Sequence, residues 1–262
     1  MVPRQWDGSP EPAVIAPPAP DLGAHSEQTR IGLIAAFSWE VRPLLRRQND
    51  VEQDGPFYSF SLRGKPVRLA IAGMGAENSY RAARSLLERG RLRGLVTLGF
   101  AGALVDSLVP GEIVIADRVL DQQSRERFDC DVELFPVGGV RRGSLLSAME
   151  VIASAAEKRR LAEEWGAVAA DMESAGVARA AAQAGVPFCA IKAITDTSEQ
   201  SISIDFARCQ SEDKGLSWRK ILRESVRSPR GIRDVWMLAR NARVAARSLA
   251  AVLCSEDSRG TR

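Results

Sequence analysis

The sequence predicts an α/β fold, and three observations support that prediction. From residue 30 onward, runs of apolar residues alternate with stretches whose apolar residues recur at helical spacing. The apolar runs contain few polar residues, which is typical of strands that helices cover on both faces. The composition, with 45% hydrophobic and 26% charged residues in a chain of 262, supplies enough apolar surface for one such domain.

The predicted elements follow one another in a regular order. Apolar runs predict strands at 31–37, at two places within 57–73, and at 94–104, 111–120, 167–170 and 186–198. Amphipathic or alanine-rich stretches predict helices at 39–47, 74–90, 155–165, 172–185 and 216–254. The two strands within 57–73 are predicted to pair across Arg63 and Gly64. Ser228 and Pro229 interrupt the last helix, because proline cannot continue a helix in progress.

Proline marks the first domain boundary. Six of the 13 prolines fall within residues 1–28, and proline at that density prevents both helix and sheet pairing. We therefore expect residues 1–28 to be a disordered, proline-rich tail. A start codon assigned upstream of the true one gives the same pattern. Residues 29–254 are predicted to form a single domain, with 255–262 as a short tail.

Charge, histidine and cysteine content exclude several function classes. The net charge of +3 is too small to indicate nucleic acid as a partner. The one histidine, His25, lies in the proline-rich tail, so no Ser-His-Asp or Cys-His mechanism is expected. The four cysteines are widely spaced, which predicts no metal site and a reducing compartment. Without a long apolar run or a secretory leader, the cytoplasm is the expected location.

Carboxylates and small residues follow the ends of the predicted strands. In α/β sheets, ligands bind where the carboxyl ends of the strands meet. Glu40, Glu173 and Asp196 lie at such ends, and the small residues at 73–75 and 101–103 would let a ligand approach the backbone closely. Taken singly, each carboxylate also fits a structural role at a helix N-terminus, as a dipole partner or a cap. Their joint placement at one sheet edge predicts a binding site.

Four blocks of sequence resemble a known family. They are IGLIAAFSWEV, AIAGMG, LVTLGFAGALVDSLVPGEIVIADRV and GAVAADMESAGVARAAAQAGVPFCAIKAITDTSE. Their order resembles the nucleoside phosphorylase/nucleosidase superfamily from about Ile31 to Glu199, with the best-matching motifs in the methylthioadenosine/S-adenosylhomocysteine nucleosidases. The resemblance implies a phosphorylase/hydrolase-like three-layer αβα sandwich with a central mixed sheet. It also implies cleavage of the N-glycosidic bond of a purine, adenine-type nucleoside.

The resemblance implies a role for each matched residue. Asp196 would be the acid that protonates the purine at its N7 atom, and Glu40 the carboxylate that activates water. Glu173 would bind the ribose hydroxyls and stabilise an oxocarbenium-like transition state, with Met172 against the sugar. The other predicted substrate-binding residues are Phe100, Ala101, Gly102, Val151, Ile152 and Gly73. No metal or organic cofactor is implied, and phosphate is the one candidate co-substrate.

The choice between hydrolysis and phosphorolysis rests on fewer residues. Thr97 and Phe100 stand where phosphorylases place phosphate-binding groups, and Arg42 falls in the helix after Glu40. Because Glu40 is present while phosphate ligands are not recognisable, we favour hydrolysis. A catalytically silent nucleoside-binding protein of the same fold is the alternative outside the enzymes. The presence of all three carboxylates argues against it.

The C-terminal part of the chain leaves a further alternative open. The segment SPRGIRDVWMLARNARVAARSL loosely resembles hopanoid-associated phosphorylases, which act on an adenosyl-lipid precursor. Between Arg219 and Arg247, nine basic residues face two acidic ones. A basic amphipathic helix of this kind is either the solvated face of a packed helix or a weak peripheral membrane contact through 216–254. The expected partners are a nucleoside substrate and, by resemblance, further copies of the chain.

Overall fold

The computed structural model describes residues 30–202 and 229–255. Its strands are β1 (Arg30–Ala35), β2 (Glu52–Asp54), β3 (Phe57–Leu62), β4 (Lys65–Ile71), β5 (Leu92–Ala103), β6 (Ile113–Asp121), β7 (Arg127–Asp129), β8 (Arg141–Ser147), β9 (Ala169–Asp171) and β10 (Phe188–Asp196). Its helices are α1 (Ser38–Leu45), α2 (Ala76–Glu88), α3 (Ala155–Trp165), α4 (Ser174–Ala184) and α5 (Pro229–Cys254). The predicted tails and the predicted helical segment 216–228 lie outside the described residues.

All ten strands belong to one mixed sheet. β1 lies between β4 and β5 and runs parallel to both, and β5 runs parallel to β10. β10 then pairs with β6, β6 with β8, β8 with β9, and β9 returns to the end of β5. Because β5 pairs with both β10 and β9, these five strands form a closed ring. The ring brings the carboxyl ends of β5, β9 and β10 together.

Helices cover the sheet on two faces, which confirms the predicted three-layer αβα sandwich. Successive residues of a strand point to opposite faces. Leu33 of β1 therefore packs in the core shared with α1 and α5, and Ile34 in the core shared with α2 and α4. A smaller cluster under α3 surrounds Leu161 and Leu146. Burial on both faces explains why the central strands read as continuous apolar runs.

Local signals in the sequence fix several element boundaries. α3 begins at Ser154, whose Oγ accepts a hydrogen bond from the Glu157 N–H at 3.3 Å, and ends at Gly166 in the left-handed conformation. The β3–β4 hairpin turns at Arg63 and Gly64, both with positive φ, as a two-residue hairpin turn requires. The predicted helix 155–165 and the predicted hairpin are therefore confirmed.

The prediction missed three of the ten described strands. β2, β7 and β8 were not predicted, because β2 is fully exposed and charged, and β7 and β8 begin with arginine in polar surroundings. They form because neighbouring strands supply the pairing partners, which no local pattern reports. Within 30–202 and 229–255, no helix has both the length and the apolar character needed to cross a membrane.

Candidate active site

A cavity of about 630 Å³ opens where β5, β9 and β10 end. Every predicted site residue except one contributes to its wall: Glu40, Phe100, Ala101, Gly102, Val151, Ile152, Met172, Glu173 and Asp196. The exception is Gly73, whose N–H bonds to the Ala36 carbonyl at 2.9 Å. Its assignment as a substrate-binding residue stays a prediction, and the next residue, Met74, lines the cavity.

Glu40 lies at the third position of α1, where its carboxylate is folded back into the cavity wall. Its Oε2 accepts a hydrogen bond from the Phe37 N–H at 3.0 Å. A Cβ atom at Gly99 would lie 3.1 Å from Oε1, a tight contact, and the φ of +136° at this position also favours glycine. Burial raises the pKa of Glu40 to about 8; the Phe37 N–H and Lys192 oppose the rise, and the Glu173 carboxylate adds to it.

Glu173 precedes α4, and two backbone amides hold its carboxylate. The Gly75 N–H donates to Oε1 at 2.9 Å, and the Met172 N–H donates to Oε2 at 3.3 Å. Burial raises the pKa of Glu173, with the Asp171 carboxylate adding to the effect and Lys192 opposing it. The turn after β4 therefore acts on the site indirectly, by orienting this carboxylate.

A buried lysine lies among these acids. Lys192 of β10 is 1% exposed, and its Nζ lies 2.8 Å from Asp171 Oδ2 and 3.2 Å from Thr97 Oγ1. Burial lowers the pKa of Lys192, but Asp171 and Glu173 outweigh it and hold the pKa above its ordinary value. Thr97, which stands where phosphorylases often bind phosphate, is therefore engaged by this lysine.

Asp196 ends β10, and a second buried lysine holds it. The Nζ of Lys158, which is 1% exposed, forms a short ion pair with Asp196 Oδ2 and donates to the Thr197 carbonyl at 2.7 Å. Thr195 Oγ1 donates to Asp196 Oδ1 at 2.8 Å. A Cβ atom at Gly102 would lie 2.9 Å from Oδ2, so glycine in β5 is needed for Asp196 to keep this position.

Aromatic and apolar side chains form the other walls. The Trp39 ring lies 5.2 Å from the Phe100 ring, centroid to centroid, and 5.5 Å from the Phe37 ring, on which it stacks. Val151 and Ile152, in the segment before α3, line the cavity with them. Flat apolar walls of this kind suit a planar base. Among the described residues, no group of three or more His, Cys, Asp and Glu side chains could hold a metal ion.

Helix α5 closes one side of the cavity. Asn241 Nδ2 donates to the Thr195 carbonyl at 2.9 Å, so α5 is attached to β10 next to Asp196. Residues on one stretch of α5 line the cavity opposite α1: Leu238, Ala239, Ala242, Arg243, Ala246 and Arg247. The C-terminal helix is therefore part of the site.

Sequence reasoning missed three charged residues of this site. Lys192 interrupts an otherwise apolar strand, and a charge in a buried strand could have marked it. Asp171 directly precedes the predicted pair Met172 and Glu173, and a second carboxylate so close to Glu173 needs a cation nearby. Lys158 carried no usable signal, because it lies in a charged stretch that reads as an exposed helix face.

The chemistry available at this site follows from its charges. Buried carboxylates line the cavity, and backbone amides fix Glu40 and Glu173 in position, so the site could stabilise positive charge on a bound molecule. The same cavity contains a carboxylate paired with a lysine, a group that could exchange a proton with a bound molecule. The fold and the site together define an enzyme that cleaves nucleosides.

Comparison with known proteins identifies the family. The family model of the Phosphorylase superfamily matches residues 30–139 and 138–214, more than half of the chain. The chain belongs to this superfamily. It is an enzyme that cleaves the N-glycosidic bond of a purine nucleoside, as the sequence predicted.

Curated relatives are nucleosidases. The chain is 30% identical over 213 residues to a 5′-methylthioadenosine/S-adenosylhomocysteine nucleosidase of Mycobacterium bovis, in an alignment covering 64% of this chain and 84% of the relative. It is 24% identical over 211 residues to an aminodeoxyfutalosine nucleosidase of Campylobacter jejuni, over 68% of this chain and 90% of the relative.

Solved structures share the fold. An S-adenosylhomocysteine nucleosidase from Streptococcus pyogenes superposes with a TM-score of 0.67 at 20% identity, over 88% of this chain and 97% of that one. The futalosine hydrolase of Helicobacter pylori superposes with a TM-score of 0.65 at 17% identity, over 86% and 96%. These likenesses confirm the predicted phosphorylase/hydrolase-like fold.

Proposed function

We propose that this enzyme hydrolyses the N-glycosidic bond of a 5′-substituted adenine nucleoside, with Glu40 activating water and Asp196 protonating the base. The observation that carries this proposal is the position of Glu40, a buried carboxylate in the cavity wall next to Glu173. A carboxyl group with a pKa raised to about 8 is a stronger base once ionised than an ordinary carboxylate. Hydrolysis is also what the named relatives do.

In this mechanism, the bond between the base and the anomeric carbon breaks as a proton reaches N7 of the purine. Asp196 takes up a proton from solvent when the substrate binds and gives it to N7, and the carboxylate that remains pairs again with Lys158. The proton that Glu40 later takes from water returns to solvent, so one turnover leaves both carboxyl groups unchanged. Glu173 binds the ribose hydroxyls and, with Glu40, faces the cationic sugar. Water then bonds to the anomeric carbon and loses a proton to Glu40. The products are free adenine and a 5′-substituted ribose.

In this proposal, the planar base binds between apolar side chains, those of Trp39, Phe100, Val151 and Ile152. Met172 lies against the sugar. Ala101 and Gly102 leave room for the base beside Asp196. No metal or organic cofactor is needed, because each proton and each charge has a protein group to accept it. A chelator is therefore expected to leave activity unchanged.

The alternative is phosphorolysis, in which phosphate attacks the sugar instead of water, as in the hopanoid-associated phosphorylases. The test measures adenine released from 5′-methylthioadenosine with and without phosphate. We expect release that does not depend on phosphate. Release only in the presence of phosphate would favour phosphorolysis, and binding without release would favour a silent nucleoside-binding protein.

We also propose that the enzyme is a homo-oligomer in the cytoplasm. Large apolar side chains that remain exposed on the single chain, Val109, Met149, Ile232 and Trp236, support an interface between copies. The thiols Cys130, Cys189 and Cys254 are free, as expected in a reducing compartment. Light scattering at several concentrations tests the oligomer, and a monomer at all of them would refute it.

Peripheral membrane contact through 216–254 stays a secondary proposal. Ile232 and Trp236 are exposed on α5, whereas Ala245, Leu249 and Leu253 are buried against the sheet and α1. The second half of the helix thus has mainly a packing role, with Val244 exposed there, and the first half carries the larger exposed apolar residues available for lipid. Sedimentation with anionic vesicles tests the contact, and no binding would remove it.

A further inference from the structure

Four arginines line the cavity away from the proposed catalytic residues. Arg42 and Arg46 belong to the last part of α1 and the residue after it, and Arg243 and Arg247 belong to α5. All four side chains are exposed, and none of them forms a hydrogen bond or ion pair with another described residue. Among the described residues of the cavity wall, the one exposed carboxylate is Glu150.

The two helices carry their arginines in the same register. Glu40 anchors α1 at the catalytic end of the cavity, and Asn241 anchors α5 to the strand that carries Asp196. On each helix, the two arginines follow the anchor by two and by six residues, roughly 3 Å and 9 Å along the helix axis. At the far ends, Gln48 Nε2 lies 3.5 Å from Cys254 Sγ, so the helices run side by side.

This arrangement needs an explanation, because like charges four residues apart destabilise a helix. Both pairs have that spacing, and both helices direct theirs to one cavity. Positive charge is thus concentrated at one end, while the carboxylates occupy the other. An anion in the cavity would relieve this repulsion, and guanidinium groups bind carboxylates and phosphates in a bidentate manner.

We infer that these arginines form a subsite for an anionic group at the end of the 5′ substituent of the nucleoside. The inference rests on the proposed function, since it assumes that adenine and ribose lie between Asp196 and Glu40. From there the 5′ position would face the space between α1 and α5. The substrate class is therefore an adenine nucleoside whose 5′ chain ends in a carboxylate or a phosphate-type group.

Small and aliphatic side chains of α5 line the cavity on either side of Asn241 and before Arg247: Leu238, Ala239, Ala242 and Ala246. They would contact the connecting chain of the substituent, because small and aliphatic side chains leave room and offer no hydrogen bonds. Pro43 does the same from α1. The subsite thus combines an apolar channel with a cationic end.

The experiment uses matched substrates and the full-length enzyme. Adenosine with a 5′-thioalkyl chain ending in a carboxylate is compared with its carboxamide twin and its phosphonate twin, all of equal chain length. The readout is the ratio of kcat/KM for each acid to that for the carboxamide. We expect wild type to prefer the acids by about tenfold or more, because charged hydrogen bonds are the stronger kind. The preference should fall as salt is raised.

Arginine variants with matched controls locate the effect. Arg243→Gln with Arg247→Gln, and separately Arg42→Gln with Arg46→Gln, should each lower the ratio about tenfold. Arg240→Gln on α5 and Arg47→Gln after α1 remove the same charge from exposed positions outside the cavity wall, and should leave the ratio unchanged. Comparing the carboxylate with the phosphonate shows which acid fits better.

Several results would overturn the subsite. The subsite is refuted if the ratio stays constant in the two double variants, or if it falls equally in the controls. Adenine release from the carboxamide would still support the proposed function. Loss of binding to phosphatidylglycerol vesicles with an unchanged ratio would assign the arginines to membranes. Dependence of release on inorganic phosphate, lost in the variants, would assign them to free phosphate. If no twin releases adenine but 5′-methylthioadenosine does, the proposed function stands, and calorimetric binding of the twins decides the subsite by the same comparison. If 5′-methylthioadenosine also releases none, the proposed function fails.

Discussion

Replacing Glu40 by glutamine is expected to abolish hydrolysis and at the same time stabilise the protein at alkaline pH. The carboxyl group has a pKa of about 8 in the folded chain, against 4.5 for its ordinary value. Below pH 4.5 the Glu40 carboxyl group is protonated in both the folded and the unfolded chain, so it does not make the stability depend on pH. Between pH 4.5 and about 8, the carboxyl group is ionised in the unfolded chain but still protonated in the folded one. The free energy of unfolding therefore falls as pH rises through this range, and it becomes constant above about pH 8.

The size of the effect follows from those two values. A pKa difference of about 3.5 corresponds to about 5 kcal/mol, since each pKa unit is about 1.4 kcal/mol. Glutamine does not ionise and can still accept the hydrogen bond from the Phe37 N–H, so the variant escapes this loss. Between pH 5.5 and pH 8, the stability of Glu40→Gln relative to wild type should rise by about 3 kcal/mol.

The assay is urea unfolding of wild type and Glu40→Gln at a series of pH values from 5.5 to 9. Glu77→Gln is the matched control, because Glu77 is also an acid in the first turn of a helix but is 61% exposed. The control should track wild type at every pH. A constant difference between Glu40→Gln and wild type across the series would refute the assignment of a buried, raised-pKa carboxyl to Glu40.

Further predictions concern Asp196, its neighbours and the pH dependence of the rate. Asp196→Asn should lower kcat by orders of magnitude in an adenine-release assay; because it leaves Lys158 without its counter-charge, urea unfolding should also show a loss of several kcal/mol, and full activity would disprove the proton-donor role. Lys158→Met should lose about 3–5 kcal/mol for the same reason, and Lys158→Met combined with Asp196→Asn should recover part of that stability without activity. Gly102→Ala should lower kcat strongly while changing the free energy of unfolding little, since the added Cβ displaces the Asp196 carboxylate. An unchanged kcat would contradict this contact. The kcat/KM of wild type should rise with pH until about 8 as Glu40 ionises, and a profile that is flat from pH 6 to 8 would show that another group limits the rate.

The central layers of the fold could be predicted because their information is local. Strands such as 31–37 are buried on both faces and read as apolar runs, and the helix over 155–165 carries its own cap and stop at Ser154 and Gly166. The edge strand β2 and the short strand β7 could not be predicted. Their residues are polar, and they adopt strand geometry only because a partner strand is adjacent.

The carboxylates of the site were predictable because strand ends converge in a sheet with parallel strands. Their cations were not, since the pairing of Lys158 with Asp196 joins residues far apart in the sequence. Gly73, which is predicted to bind substrate, does not line the cavity itself, whereas its neighbour Met74 does. The role of α5 was also missed as part of the site, because nothing in the sequence of an amphipathic helix says which of its turns faces a cavity.

The most direct test of the central claim is adenine release from 5′-methylthioadenosine in phosphate-free buffer by wild type and by Glu40→Gln. If Glu40 activates water, wild type releases adenine at a rate that added phosphate does not change, and Glu40→Gln loses that release while staying folded. If adenine appears only after phosphate is added, or if Glu40→Gln releases it as fast as wild type, then water activated by Glu40 is not the nucleophile.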